Sequence, residues 1–250
     1  MSVVVMWEAT QARAVLFDVT GVLLKFEAGV ILPRLRTLVG MVEDGSADDI
    51  NAYIELAGPL VHDFDLGRVN ESQFLTSFAE RYSLTPAGLS LASEEELLAL
   101  LRKNFTDGFF SMHQHTQAMI DSLFYTYSLK DATPLFMGIV SNMNPMHWRS
   151  IRKSFPVLYP EYEYFSVHAL SFELGTKKPD ARIFEYAMEE LNKKCKRMHI
   201  PPIDAREVLF LDDSPGHLRG AEALGIQTAL VDDANPQTIQ SALAAHGISV

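Results

Sequence analysis

Four short apolar segments recur along the chain, each about as long as a β-strand. They lack an alternation of apolar and polar positions, which is typical of strands buried on both faces of a parallel sheet. Helical periodicity separates the later segments, with an apolar residue every three to four positions. The predicted strands are AVLF at 14–17, FMGIV at 136–140, EVLFL at 207–211 and QTALV at 227–231, and the predicted helices are 181–191 and 216–224. This alternation predicts an α/β fold with a Rossmann-like, doubly wound parallel sheet.

The interval from about 30 to 115 has a different pattern. Its apolar residues follow helical spacing, as at Leu35, Leu38 and Val39, and no segment within it has the pattern of a strand. The first predicted strand is therefore followed by helices, and the α/β pattern resumes only after them. We expect a core formed by residues 1–28 and 117–250, with an inserted helical domain at 29–116.

The composition and net charge of the chain indicate which kinds of molecule it does not bind as its main partner. The chain of 250 residues has 21 basic and 32 acidic side chains, so its net charge is −11. This balance argues against nucleic acid or an anionic membrane as the main partner, but it leaves room for an anionic substrate at a local positive site. The single cysteine, Cys195, excludes an internal disulfide. With no signal-peptide pattern and no apolar run long enough for a membrane helix, we expect a cytoplasmic protein. The sequence does not indicate the oligomeric state.

Polar side chains follow three of the predicted strands. Asp18 comes after the first strand, Ser141 and Asn142 after the second, and Asp212 and Asp213 after the third. In open α/β sheets the ligand crevice lies at the carboxyl ends of the strands, so these side chains should meet there. Clustered carboxylates repel one another unless a cation neutralises them, and Mg²⁺ prefers carboxylate oxygens together with water and phosphate. The sequence therefore predicts a Mg²⁺ site facing an anionic substrate.

A lysine in the segment GTKKPDARIF, at 175–184, completes this set. Lys178 directly precedes Pro179, and a residue before proline is held out of the helical conformation. Because a helix is predicted to follow, Lys178 should lie at a loop-to-helix junction with its ammonium able to point into the crevice. An ammonium there would offset negative charge that develops on a phosphoryl group.

These four segments, taken in order, resemble the four motifs of the haloacid dehalogenase-like hydrolases. The motifs are FDVTGVLL, GIVSN, GTKKPDARIF and LFLDDSPGHLRGAEALG, and they extend over nearly the whole chain. The helical interval is similar to the cap that these enzymes insert after the first motif. Within it, FDLGRVNESQF at 64–74 resembles the cap of the branch that includes the phosphatase domain of soluble epoxide hydrolases and sugar-phosphate phosphatases.

The resemblance implies a role for each matching residue. Asp18 would attack phosphorus and form an aspartyl-phosphate. Ser141 and the backbone around Asn142 would hold the phosphoryl oxygens, and Lys178 would pair with Asp18 and the phosphoryl group. The implied ligands of Mg²⁺ are Asp18, the backbone carbonyl of Thr20, Asp213, and Asp212 either directly or through water. The expected substrate is a small phosphorylated metabolite.

Thr20 is the departure from the phosphatase pattern that matters most for activity. Phosphatases of this family usually have a second aspartate here, which protonates the leaving oxygen and later activates water. A threonine hydroxyl does not titrate near neutral pH, and general acid–base help is typically worth about 10²–10⁴ in rate. The sequence therefore favours a phosphatase slowed by this substitution.

Two other functions stay open at this stage. One is a catalytically weak or inactive relative that binds a phosphorylated ligand or a protein partner, which Thr20 would also explain. The other is a phosphonatase or dehalogenase-type hydrolase. A phosphonatase of this family needs a lysine in its cap. Residues 30–102 contain none, and the one lysine before the core resumes, Lys103, lies near the end of the cap, which argues against that alternative.

Overall fold

The computed structural model describes residues 12–41, 50–128, 134–159, 163–232 and 234–249. Within these ranges the strands are β1 (Ala14–Phe17), β2 (Lys25–Phe26), β3 (Phe110–Ser111), β4 (Phe136–Ser141), β5 (Val167–Leu170), β6 (Val208–Asp212) and β7 (Gln227–Leu230). The α-helices are α1 (Ala28–Leu38), α2 (Ile50–Ala57), α3 (Val61–Asp65), α4 (Glu71–Arg81), α5 (Glu94–Thr106), α6 (Thr116–Ser128), α7 (Pro145–Ser154), α8 (Ser171–Leu174), α9 (Ala181–Arg197), α10 (Pro215–Glu222) and α11 (Pro236–Ala245).

Five strands form a parallel sheet in the order β5-β4-β1-β6-β7. In β1, Val15 and Phe17 belong to one apolar cluster, whereas Ala14 and Leu16 belong to another on the opposite face. Such two-sided burial explains why this strand has no polar alternation. Because β1 lies between β4 and β6, its carboxyl end is adjacent to both of theirs. The expected α/β doubly wound sheet is thus confirmed.

β5 has no counterpart among the strands predicted from sequence, and β7 is less buried than predicted. In β5 the half-buried His168 interrupts an otherwise apolar run, so the segment lacks the continuous apolar pattern that identified the other strands. β7 lies at the edge of the sheet, and its residues are partly exposed rather than buried on both faces. An edge strand has a neighbour on one side only, so its sequence need not be uniformly apolar.

Helices α1–α5, residues 28–106, pack around an apolar cluster of their own, and we refer to them as the helical unit. Its centre includes Leu32, Phe64, Phe74, Phe78 and Phe105, all nearly fully buried. The chain leaves and re-enters the core beside the antiparallel pair β2–β3. The sequence analysis had found no strand in this interval, and β3 corrects it. The domain boundaries at 28/29 and 116/117 stay a prediction, and residues 1–11 of the predicted core lie outside the described residues.

In the part of the chain that the structure describes, none of the helices combines the length and the apolar character needed to cross a bilayer.

Candidate active site

Asp18 lies at the carboxyl end of β1, where the chain leaves the sheet. Its backbone N–H donates to the carbonyl of Leu211 at 2.9 Å, and its Oδ1 accepts a hydrogen bond from the N–H of Val19 at 2.6 Å. Only 6% of the residue is exposed. Burial raises the pKa of this carboxyl to about 6, against the opposing effect of the Lys178 ammonium. Asp18 is therefore held in one orientation and is largely ionised at neutral pH.

The Lys178 ammonium joins two carboxylates. Its Nζ lies 2.8 Å from Oδ2 of Asp18 and 2.6 Å from Oδ2 of Asp212, and all three side chains are buried. Burial alone would raise the pKa of Asp212, but Lys178 and a hydrogen bond from His217 outweigh it and hold that pKa at about 2. Buried charges are tolerated when they are paired and hydrogen-bonded, as here. The cation therefore stabilises both acids as carboxylates.

Asn142 fixes the backbone of Lys178. The amide Oδ1 accepts from the N–H of Lys178 at 2.8 Å, and the amide Nδ2 donates to the carbonyl of Lys178 at 3.1 Å. The Lys178–Pro179 peptide bond is cis. On the far side of this loop, a Cβ added at Gly220 would lie 2.6 Å from the Pro179 carbonyl, so only glycine lets α10 approach so closely. The lysine is thus positioned through its main chain.

Ser141 is the last residue of β4 and is 1% exposed. Its Oγ has no hydrogen-bond partner among the described residues. A buried hydroxyl without a partner is costly, so such atoms frequently mark a place where a ligand completes the hydrogen bonding. A phosphoryl oxygen at the end of β1 would provide an acceptor of this kind.

Asp213 lies against the turn that follows β1. Gly21 in that turn has a φ of +87°, and a Cβ there would lie 2.1 Å from Oδ2 of Asp213. Only glycine fits at this position. Other residues rarely adopt this backbone conformation, and their Cβ would occupy the space of the Asp213 carboxylate. Burial raises the pKa of Asp213, and the neighbouring Asp212 raises it further. A cation close to Asp213 would relieve this repulsion.

His217 is a site residue that the sequence analysis missed. It lies in the first turns of α10, and its Nδ1 is 2.9 Å from Oδ1 of Asp212, which also accepts from the N–H of Ser214 at 2.8 Å. Ligand atoms of Asp18, Asp212 and His217 lie within 4.8 Å of one another. The carboxylate cluster therefore fits a metal site. The position of His217 just after the acidic pair, at the start of a predicted helix, was the available signal.

A cavity of about 740 Å³ lies between the core and the helical unit. Of the predicted site residues, Asp18, Thr20, Asn142 and Asp213 line it, whereas Ser141, Lys178 and Asp212 are buried with 0–1% exposure. The lining also includes residues that the sequence analysis did not single out: Lys25, Phe26, Tyr53, Asp65, Phe109, Phe110, His147, Lys177 and His217. Asp65 lies within FDLGRVNESQF at 64–74, so the cap resemblance includes this residue without assigning it a role.

The sequence matches a known protein family over most of its length. Residues 12–225 match the family model described as haloacid dehalogenase-like hydrolase. A curated relative, the uncharacterized protein YMR130W of Saccharomyces cerevisiae, is 32% identical over 120 residues, which is 45% of this chain but only 37% of the yeast protein. The chain thus aligns with well under two thirds of that relative's length.

Solved structures share the fold at low identity. The HAD family enzyme BT-2542 of Bacteroides thetaiotaomicron has a TM-score of 0.62 at 19% identity, covering 88% of this chain and 94% of that one. Its complex with magnesium and inorganic phosphate has a TM-score of 0.60 at 19% identity, covering 88% and 93%. A predicted HAD-like hydrolase of Porphyromonas gingivalis has a TM-score of 0.57 at 21% identity, covering 90% and 94%. With its family model matched over most of its length, the chain belongs to the haloacid dehalogenase-like hydrolases.

Proposed function

We propose that the protein is a Mg²⁺-dependent phosphatase of small phosphorylated metabolites that forms an aspartyl-phosphate on Asp18. The observation that carries this proposal is the ion pair between Asp18 and Lys178 at one end of a cavity large enough for a small organic phosphate. The solved complex of BT-2542 with magnesium and inorganic phosphate supports it, since that enzyme shares the fold. The helical unit then serves as the cap over the site, with the boundaries predicted from the sequence.

Mg²⁺ would be held by Asp18, the backbone carbonyl of Thr20 and Asp213. These three residues all line the cavity and offer oxygen ligands, which Mg²⁺ prefers. Asp212 is less suited to direct coordination, because Lys178, Ser214 and His217 already occupy its two oxygens. Bound there, the ion would supply positive charge to the nucleophile and the phosphoryl oxygens.

Three side chains of the protein would carry out the transfer of the phosphoryl group. A carboxylate oxygen of Asp18 forms the new bond to phosphorus while the bond to the leaving oxygen breaks, and water later hydrolyses the aspartyl-phosphate. Lys178 holds Asp18 as a carboxylate and places positive charge where the phosphoryl group develops negative charge. The Ser141 hydroxyl, which lacks a partner in the described part of the chain, would donate to a phosphoryl oxygen.

Thr20 limits the rate in this proposal. It lines the cavity next to Asp18 but offers only a hydroxyl and a backbone carbonyl. Without a titrating group here, protonation of the leaving oxygen depends on water or on the substrate itself, which lowers the rate by about 10²–10⁴. The same residue favours the second candidate, a weak or inactive relative that binds a phosphorylated ligand.

Phosphate release from a panel of phosphomonoesters, with and without Mg²⁺, tests the proposal. The variants are Asp18→Asn, which removes the nucleophile, Thr20→Asp, which restores an acid, and Asp63→Asn as a control on the surface of α3. We expect slow, Mg²⁺-dependent release by wild type and Asp63→Asn, none by Asp18→Asn, and faster release by Thr20→Asp. Release that persists in Asp18→Asn would refute the aspartyl-phosphate. A silent wild type with an active Thr20→Asp would favour the ligand-binding candidate instead.

A further inference from the structure

The helical-unit end of the cavity contains a buried hydroxyl with unused hydrogen-bonding capacity. Tyr53 of α2 lines the cavity and is 3% exposed, and its OH has no hydrogen-bond partner among the described residues. The ring is fixed by aromatic contacts, with centroids 5.1 Å from Phe109 and 5.7 Å from Phe26. A buried hydroxyl left unpaired lowers stability, and a ligand that hydrogen-bonds it recovers that loss.

A carboxylate lines the same cavity. Asp65, at the end of α3, accepts from Nδ2 of Asn144 at 3.1 Å, and its backbone carbonyl accepts from Oγ of Ser171 at 2.5 Å. These contacts to the core hold Asp65 in place and leave capacity on its carboxylate for a further donor. Burial raises the pKa of this carboxyl to about 6. A hydroxyl or amino group on the ligand would compensate for its lost hydration.

Most of the remaining wall at this end is apolar, formed by Phe26, Phe109, Phe110, Ile54 and Val61. Its polar members include Asn51, His147 and Lys177. Such a surface favours an apolar or aromatic body and disfavours a polyol, whose hydroxyls would lose water without gaining partners. A sugar phosphate, with a hydroxyl on nearly every carbon, fits this wall poorly.

We propose that the substrate is a phosphate ester of an apolar or aromatic alcohol that carries one hydroxyl or amino donor remote from the phosphate, bound by Asp65 and Tyr53. This inference rests on the proposed function, because Asp18 fixes the phosphate end. The donor group of the substrate would give its hydrogen to the Asp65 carboxylate, and the Tyr53 hydroxyl would hydrogen-bond the same group. The aromatic wall would enclose the body between the two ends.

Three esters test the substrate class: benzyl phosphate, 4-(hydroxymethyl)benzyl phosphate and glucose 6-phosphate. For wild type with Mg²⁺ we expect kcat/KM for the hydroxymethyl ester to exceed that for benzyl phosphate by about tenfold, the usual effect of one good buried hydrogen bond. Glucose 6-phosphate should be the poorest of the three. Tyr53→Phe and Asp65→Asn should each reduce the tenfold preference towards unity.

Matched controls come from the same helical unit. Tyr82→Phe matches Tyr53→Phe, at a hydroxyl that donates to the carbonyl of Leu56. Asp63→Asn matches Asp65→Asn, at a partly exposed carboxylate of α3 that pairs with Arg68. Both should keep the wild-type preference. Equal kcat/KM for the two benzyl esters, or a preference that survives in both Tyr53→Phe and Asp65→Asn, would overturn the inference while leaving the phosphatase proposal intact.

A binding measurement separates the two proposals if wild type releases no phosphate from any ester. Ligand-detected NMR would then compare 1,4-benzenedimethanol, which lacks phosphate, on wild type, Tyr53→Phe and Tyr82→Phe. Weaker binding to Tyr53→Phe alone would support the subsite although the phosphatase proposal had failed. Equal binding to all three proteins, or none, would overturn the subsite as well.

Discussion

The two ends of the cavity differ in how their buried charged side chains are paired, although the Ser141 hydroxyl at the core end also lacks a partner among the described residues. At the core end, Asp18, Lys178 and Asp212 are joined by contacts of 2.6–2.8 Å. At the helical-unit end, the Tyr53 hydroxyl is buried with no partner in the described ranges. Fully paired buried charges stabilise one arrangement, whereas an unpaired group lowers stability until a ligand arrives. Under the proposed function, this difference means that the fold preorganises the reacting groups and that ligand discrimination depends on the incomplete pairing.

The largest predicted change in the free energy of unfolding comes from removing the ion pairs at the core end. In Lys178→Met, two buried carboxylates lose their shared cation, and removing one partner from a buried ion pair typically costs about 3–5 kcal/mol. We expect the free energy of unfolding to fall by that amount at neutral pH, as measured by urea denaturation. The loss should shrink at acidic pH, where the carboxylates become protonated.

The neighbouring lysine provides the control for this prediction. Lys177 lines the cavity and its Nζ lies 2.8 Å from Nδ1 of His62, but the residue is only partly buried. Lys177→Met should therefore change the unfolding free energy by about 1 kcal/mol or less, because a partly exposed charge contributes little to stability. If Lys178→Met and Lys177→Met reduce the unfolding free energy equally, then ion pairing does not distinguish the core end of the cavity from the helical-unit end.

The core end was also the more predictable of the two from sequence. Asp18, Ser141 and Asp212 are strand-terminal residues, and parallel strands bring their carboxyl ends to one edge whatever the intervening chain does. Lys178 could be placed because Pro179 restricts it. Nothing local marked β5, whose His168 breaks its apolar run, so its position in the sheet became evident only from its pairing with β4.

The second prediction concerns the Asp65 carboxyl at the helical-unit end. Its pKa of about 6 in the folded protein exceeds the ordinary value of 3.8, so the native state binds more protons than the unfolded state between these values. Stability contributed by this group is therefore present at acidic pH and is lost as pH rises through about 6, by up to about 3 kcal/mol. Asp65→Asn removes the titration.

Unfolding free energies of wild type and Asp65→Asn, measured from pH 4 to pH 7, would reveal this effect. We expect the unfolding free energy of Asp65→Asn to increase relative to that of wild type as the pH rises, because only wild type then has the buried charge. Other groups, including Asp18, titrate in both proteins and cancel in the difference. Parallel curves across this range would mean that Asp65 is better solvated than its burial indicates.

The third prediction tests the position of Asp213. Gly21→Ala places a methyl group where Oδ2 of Asp213 lies and forces an alanine to a φ of +87°. We expect a loss of about 1–2 kcal/mol in stability from the backbone conformation, together with weaker Mg²⁺ binding by isothermal titration calorimetry. Gly29→Ala is the control, since a Cβ there meets no atom within 4 Å. Unchanged Mg²⁺ affinity in Gly21→Ala would contradict the assignment of Asp213 as a ligand.

The helical-unit end could not be assembled from sequence for a physical reason. Tyr53 follows helical spacing and looks like any core aromatic residue, since periodicity shows which face is buried but not what that face meets. Asp65 reaches the cavity through contacts with Asn144 and Ser171, which are distant in the chain. A site formed by two helices packed against a sheet depends on tertiary geometry, whereas a site at strand ends follows from the topology.

The smallest predicted effect concerns Tyr→Phe at two positions, where the changes in stability should differ in direction. Tyr82→Phe removes a hydroxyl that donates to the Leu56 carbonyl at 3.0 Å, so it should cost about 1 kcal/mol. Tyr53→Phe removes a buried hydroxyl that has no partner among the described residues, so it should leave stability unchanged or raise it by up to about 1 kcal/mol. Thermal unfolding of the ligand-free variants measures both. A Tyr53→Phe protein that unfolds as easily as Tyr82→Phe would mean that the Tyr53 hydroxyl is already paired, and the contrast between the two ends of the cavity would be lost.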